Sequence, residues 1–221
     1  MQRLCDILFS ILALIGLAPI LIPTMIVLRL TGEREVFYRQ ARIGRGKKTF
    51  YVYKFATMLK DSPNMKNGSV TIKDDPRVLP FGRILRKTKV NELPQLINVL
   101  IGDMSLIGPR PLTSETFQFY DNRTQTSLAT VRPGLSGIGS IIFRDEEQLF
   151  NCSDDPREFY EGVIAPYKGE LELWYINNQT VYTYFALIGI TVWVVLFPKS
   201  AVIRYIFSDL PKPGPRLHLD F

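Results

Sequence analysis

Asn91 and Glu92 stand side by side ahead of the apolar run Leu93-Pro-Gln-Leu-Ile-Asn-Val-Leu-Ile101, and Arg110 follows within Gly108-Pro-Arg-Pro111. Arg83, Arg86, Lys87 and Lys89 lie just upstream. A carboxylate set among this many cations suits a phosphate-bearing substrate, because guanidinium and ammonium groups neutralise phosphate oxygens. Taken alone, the same residues also describe a helix start. Asn91 is a good N-cap, Glu92 and Pro94 fit a first turn, and Gly102 fits the stop, which predicts a helix over 92–101.

The rest of the composition narrows the chemistry. The single histidine, His218, lies in a Pro-rich tail, so a Ser-His-Asp triad and a His-based metal centre are excluded unless that tail folds back. Cys5 and Cys152 lack CxxC spacing, which argues against a zinc site and a disulfide framework. The formal net charge of +6 suits anionic lipid headgroups or phosphorylated substrates. Nucleic acid is not expected as a partner: no helix-turn-helix, zinc-finger or aromatic RNA-binding signature is present, and the basic residues sit beside apolar runs.

These residues must be positioned by a framework that begins at a membrane. Residues 7–28 carry no charge, between Asp6 and Arg29, and about 20 apolar residues span a bilayer core. Pro19 and Pro23 interrupt the run, and each removes a helical donor. The pattern fits both a spanning helix and one that enters and leaves on the same side. Arg29, Arg34, Arg39, Arg42 and Arg45 mark the downstream flank as cytoplasmic. Aromatic and β-branched runs at 35–40 and 50–55, with Gly44-Arg-Gly46 between them, predict a β-hairpin. Residues 61–76 read as a loop and 77–89 as a basic amphipathic helix. Residues 114–128 read as one helix, 140–143 as extended, and 156–175 and 180–197 as two further helices. The last carries Tyr182, Tyr184 and Trp193 and is expected to be interfacial or buried.

The chain resembles the monotopic phosphoglycosyl transferases, bacterial sugar transferases that start cell-surface glycan assembly on undecaprenyl phosphate. The likeness runs from about residue 6 to about residue 197. It rests on Val36-Phe-Tyr-Arg-Gln-Ala-Arg-Ile-Gly44, Tyr53-Lys-Phe55, Glu92-Leu-Pro-Gln through Gly108-Pro-Arg-Pro111, and Val131-Arg-Pro-Gly-Leu-Ser-Gly137. The resemblance implies a re-entrant membrane helix broken at Pro19. It also implies transfer of a phospho-sugar from a UDP-sugar to polyprenyl phosphate, with release of UMP and use of Mg2+. The expected partners are therefore a UDP-sugar, polyprenyl phosphate and membrane lipids, and the chain is compatible with a homo-oligomer.

In that family an Asp-Glu pair precedes Leu-Pro-Gln, and the Asp attacks the β-phosphate. Here the pair is Asn91-Glu92, so Glu92 matches as the metal-site carboxylate and Asn91 does not match as a nucleophile. Three accounts follow. Glu92 takes over the attack with a second carboxylate such as Asp103 near the metal; or the lipid phosphate attacks directly with Asn91 only positioning; or the protein is an impaired member serving as a membrane-anchored binding or scaffold protein. Lys54, Arg86, Arg110 and Arg132 are the phosphate-binding candidates. Ala56 stands where many members carry Arg, and residues 137–147 replace the more usual Gly-Trp-Ala-Gln-Val-Asn-Gly-Arg, which points to a different donor sugar. The acidic run Asp145-Glu-Glu147 reads as a solvated charge run, with a sugar or metal contact as the sharper alternative. The expected architecture is α+β: a re-entrant helix over 1–30, a mostly helical domain with a small β-hairpin over 31–200, and a tail over 201–221, placed on the cytoplasmic face of the bacterial inner membrane.

Overall fold

The computed structural model describes residues 2–65, 75–144, 146–149, 156–197, 200–215 and 217. Among the described residues the fold is mixed, mostly helical with two small sheets, and the chain forms two compact units interleaved along the sequence. One contains residues 4–41 and 51–102; the other contains 1–3, 42–50 and 103–221.

The long N-terminal helix, α1 (Gln2–Leu30), has 29 residues and is long and apolar enough to cross a membrane. At about 1.5 Å per residue it measures roughly 43 Å, more than the hydrocarbon thickness of about 30 Å. It remains helical through Pro19 and Pro23. Each proline withdraws a donor, which leaves the carbonyls of Ile15 and Pro19 without an in-helix partner. Thr24 Oγ1 donates to the neighbouring Ile20 carbonyl at 2.8 Å. Leu8, Leu12, Ile15, Ile22 and Ile26 are exposed while Asp6, Ser10 and Thr24 are buried. That is the reverse of a water-facing helix and fits an apolar solvent around it.

In the first unit, the end of α1 packs on the predicted hairpin, β1 (Phe37–Ile43) with β2 (Thr49–Phe55), and on α2 (Pro80–Lys87). Leu28, Phe55 and Leu85 are the buried centre, with Leu21, Met25, Val36, Phe81 and Val90 around them. Pro80 occupies the first turn of α2, as its fixed φ favours. Leu79 N donates to the Thr57 carbonyl at 2.9 Å, and Gly82 then lies so close that a Cβ would meet that oxygen at 2.2 Å.

The expected helix over 92–101 begins later. Val90–Glu92 is a 3-10 turn, and α3 spans Gln95–Ile101 with Pro94 before it. Pro94 has no N–H to give Val90, whose carbonyl instead accepts from Leu93 at 3.1 Å. Glu92 N to Lys89 O and Leu96 N to Leu93 O repeat this tighter spacing, so Asn91 is not an N-cap. Gly102 closes α3 with φ of 97°, the left-handed stop its sequence position suggests.

In the second unit, β3 (Ser105–Ile107) and β4 (Gly134–Ser136) pair in parallel, Ser105 against Gly134 and Ile107 against Ser136. The single helix expected over 114–128 is two, α4 (Ser114–Gln118) and α5 (Asn122–Leu128). Thr113 and Asp121 each cap the helix that follows, accepting from Thr116 N and Thr124 N. The Asp121 side chain competes for the backbone where a continuous helix would have to pass. Residues 140–143 are not extended: Ile138–Ile142 form α6, and Ile138, Ile141 and Ile142 are all buried. Burial of that face outweighs the β-branched preference for strand. Then follow α7 (Glu146–Leu149), α8 (Pro156–Phe159), a π-helical turn at Tyr160–Ile164, α9 (Ala165–Asn177), α10 (Val181–Leu196) and α11 (Val202–Ile206). Thr180 caps α10, which runs close to the expected bounds, and Tyr182, Phe185, Trp193 and Leu196 are exposed on it. Trp174 Nε1 donates to Asp209 and Tyr167 OH to the Pro211 carbonyl, which holds the last described segment on α9.

Gly82→Ala is expected to destabilise the protein by about 2 kcal/mol or more, since a rigid carbonyl fills the space a methyl would need. Thermal melts of the purified protein check this; an unchanged midpoint overturns the close-packing argument.

Candidate functional site

In the first unit the site residues are placed by one amide. Asn98, fully buried in α3, accepts from Tyr53 N at 2.9 Å and donates to the Tyr51 carbonyl at 2.8 Å. It therefore replaces a neighbouring strand along β2 and fixes the register of Lys54, the next residue. Lys54 Nζ stands 3.8 Å from Glu92 Oε1, both side chains about one-fifth exposed. Asn91 is buried, and its Oδ1 has no hydrogen-bond partner among the described residues. Such an orphaned oxygen costs stability unless something else meets it. Arg86 is half-buried on α2, with Nη1 3.6 Å from Met58 Sδ. Ala56 is buried and gives its N–H to the Val36 carbonyl.

Glu92 lies in the 3-10 turn, three residues before α3 begins, and so stands outside the helix predicted to start with it.

In the second unit Arg110 is exposed on a turn whose backbone is locked from several sides. Gly108 N donates to Ser136 O and Gly134 N to Pro109 O, at 2.9 and 2.7 Å. Arg42 Nη1 donates to the Pro111 carbonyl at 3.2 Å, and Ile43 N donates to Leu112 O at 2.8 Å. Gly108, Gly134 and Gly137 touch backbone to backbone, each so closely that a Cβ would fall within 2.6 Å of a main-chain atom. This contact brings the Arg132 loop beside the Arg110 turn, for a Cβ on Gly108 would meet the Arg132 carbonyl. Asp103 is half-buried just after Gly102.

Sequence reasoning missed a buried charged group behind Arg110. Lys168 and Glu172 on α9 are both buried. Lys168 Nζ lies 2.7 Å from Glu146 Oε1 and over the rings of Phe143 and Tyr160, at 4.9 and 5.3 Å. Glu146 is thus not merely solvated; Asp145 and the side chain of Glu147 lie outside the described residues. Burial pushes the Glu172 carboxyl up to about 8, opposed by the Arg110 backbone N–H and by Lys168. Burial lowers Lys168, opposed by Glu146. Tyr120 and Tyr160 share a hydrogen bond, and burial raises both, Tyr160 to about 12. The signal available in the sequence was the spacing of Lys168 and Glu172, one helical turn apart.

A model of the family described as bacterial sugar transferase matches residues 1–198. The chain is 33% identical over 200 residues to an uncharacterized sugar transferase, EpsL, of Bacillus subtilis, covering 90% of this chain and 89% of that one. It is 31% identical over 210 residues to an undecaprenyl-phosphate galactose phosphotransferase of Salmonella typhimurium, covering 89% of this chain and 40% of the longer protein. It is 35% identical over 144 residues to a UDP-N-acetylgalactosamine-undecaprenyl-phosphate N-acetylgalactosaminephosphotransferase of Aeromonas hydrophila, covering 64% of this chain and 34% of that protein.

A carboxyl whose folded pKa is raised contributes stability that is fully present below its unfolded value and lost as pH rises through the folded one. For Glu172 that window runs from about 4.5 to about 8. Glu172→Gln is therefore expected to flatten the fall in melting temperature across this window, the variant gaining on the parent as pH rises through it. Parallel slopes for the two proteins would show that Glu172 titrates normally.

Proposed function

The chain belongs to the bacterial sugar transferase family, and from that premise we propose that it transfers a phospho-sugar from a UDP-sugar to undecaprenyl phosphate at the cytoplasmic face of the bacterial inner membrane, initiating surface polysaccharide synthesis. The observation that carries the reading is the Lys54–Glu92 pair, set within the matched block on backbone held by Asn98. The activities in the names of the Salmonella and Aeromonas relatives support the choice of lipid acceptor and nucleotide-sugar donor.

The reaction is direct displacement. An oxygen of the lipid phosphate attacks the β-phosphorus of the donor, the bond to the UMP oxygen breaks, and UMP leaves with the electron pair. Asn91 is an amide and supplies no attack. Glu92 is a poor candidate for it, because its charge is shared with the Lys54 ammonium. No second carboxylate is then required, and Asp103 takes no part. Within the first unit the phosphate ligands of this proposal are Lys54 and Arg86; within the second they are Arg110 and Arg132, each unit taken by itself.

Mg2+ belongs to this proposal, with Glu92 as the residue that would hold it. A single half-buried carboxylate, with no group of three acidic, His or Cys ligands among the described residues, fits a cation that takes most of its ligands from phosphate and water. When bound, the cation neutralises charge on the transferring phosphoryl group.

The membrane element is proposed to be re-entrant, its two ends on the cytoplasmic side. The two prolines in α1 and the basic residues after it support this. Cysteines introduced at Gln2 and Glu33 are expected to label from the cytoplasmic side alone; labelling from opposite sides replaces the re-entrant arrangement with a spanning one.

UMP release from a panel of UDP-sugars with undecaprenyl phosphate and Mg2+ tests the function. Glu92→Gln should lower turnover by about 10²–10³-fold, the loss typical of a charged group serving the transition state. A parent protein silent with every donor would leave the membrane-anchored binding protein as the reading. Asn91→Asp should bring no gain and no trapped adduct, because a buried carboxylate added beside the half-buried Glu92 repels the incoming phosphate. A large gain with a phospho-sugar on the new Asp, seen by intact-protein mass, would instead identify this chain as a disabled covalent enzyme.

A further inference from the structure

Arg110 points its chemistry outward from a turn whose inner side meets a buried acid. Glu172 is 5% exposed, and its carboxyl accepts a hydrogen bond from the Arg110 backbone N–H. Its Oε2 has no hydrogen-bond partner among the described residues. The other oxygen is seated against α6: a Cβ on Gly139 would come within 2.4 Å of Glu172 Oε1. Gly139 therefore makes room for this carboxyl. The charged and titratable groups around it are Lys168 from α9 itself, Glu146 from α7 through Lys168, Arg110 from the turn, and Tyr120 with Tyr160 beyond them.

We propose that Glu172 is a positioning residue for Arg110, its buried carboxyl holding the turn so that the guanidinium is presented to the diphosphate of a nucleotide-sugar. Four other hydrogen bonds fix residues 108, 109, 111 and 112. Glu172 fixes the one residue between them that carries the functional side chain. The acid supplies the acceptor for the Arg110 N–H, a main-chain donor that has to be paired wherever water does not reach it. Gly139 and Glu172 thus act as a matched pair: a larger residue at 139 would push the carboxyl off the turn without removing any polar group.

The proposal rests on the transferase reading, and the test separates the two. The full chain in lipid nanodiscs is studied as parent, Glu172→Ala, Glu172→Gln, Gly139→Ala, Arg110→Ala and the Glu172→Ala/Arg110→Ala double variant, each first checked for an intact melt. Hydrogen exchange at the Arg110 amide should accelerate in Glu172→Ala and in Gly139→Ala, and stay close to the parent in Glu172→Gln, which keeps an acceptor oxygen. UDP, titrated calorimetrically, should bind about tenfold more weakly to Glu172→Ala, roughly one hydrogen bond's worth of affinity. That loss should vanish in the Arg110→Ala background, since Glu172 acts only through Arg110. Unchanged exchange at Arg110 in Glu172→Ala overturns the proposal. So does a loss of UDP affinity that adds in full to that of Arg110→Ala, or a parent that binds no UDP. A parent that binds UDP yet transfers no sugar refutes the transferase reading alone, and the exchange and binding measurements still decide the role of Glu172.

Discussion

The amide of Asn98 does for β2 what a third strand would do. It offers one acceptor and one donor to the backbone of Tyr53 and Tyr51, and it does so from a wholly buried position. Because side chains alternate along a strand, fixing those two residues also fixes which way Lys54 points. The same helix that carries Asn98 is preceded by the turn that carries Asn91 and Glu92. Lys54 and Glu92, 38 residues apart in sequence, are therefore set opposite each other by one side chain that has no chemistry of its own. An aspartate of the same shape would lose the donor to Tyr51, and a leucine would strand both backbone groups.

The Arg110 turn in the other unit reaches the same end by removing side chains. Gly108, Gly134 and Gly137 let three stretches of backbone touch, and the parallel β3–β4 pair ties them. The exposed cation thus stands on a rigid base. Behind it, Lys168 and Glu172 are taken out of water, with Glu146 half-buried against Lys168, an arrangement whose desolvation cost is offset by pairing, ring faces and a backbone donor. Mobile loops carry many binding residues; here the phosphate candidates Lys54 and Arg110 rest instead on a strand and a locked turn.

Much of this was legible in the sequence. The hairpin, α2 with Pro80 in its first turn, α10 after Thr180, and Gly102 as a stop all follow from local rules. What failed did so where one local signal hid another. Asn91 looks like a cap until Pro94 withholds its N–H and tightens the turn. The isoleucines of α6 look like a strand until three of them are buried along a helix. Lys168 and Glu172 look like an exposed ion pair on a helix, because nothing local says that Phe143, Tyr160 and the Arg110 turn close over them.

The family match stops at residue 198, but folding does not. Beyond it, Phe207 packs edge-on against Trp174 at 5.2 Å, Leu210 is buried, and the Trp174 and Tyr167 side chains find their acceptors at Asp209 and Pro211. Tyr167 in turn meets the Phe143 ring, on which Lys168 rests. The stretch that the family model matches and the stretch that packs together thus have different edges. A chimaera spliced at 198 to a relative's ending would exchange what looks like a dispensable tail, yet leave an indole and a phenol on α9 without the partners that this chain supplies to itself.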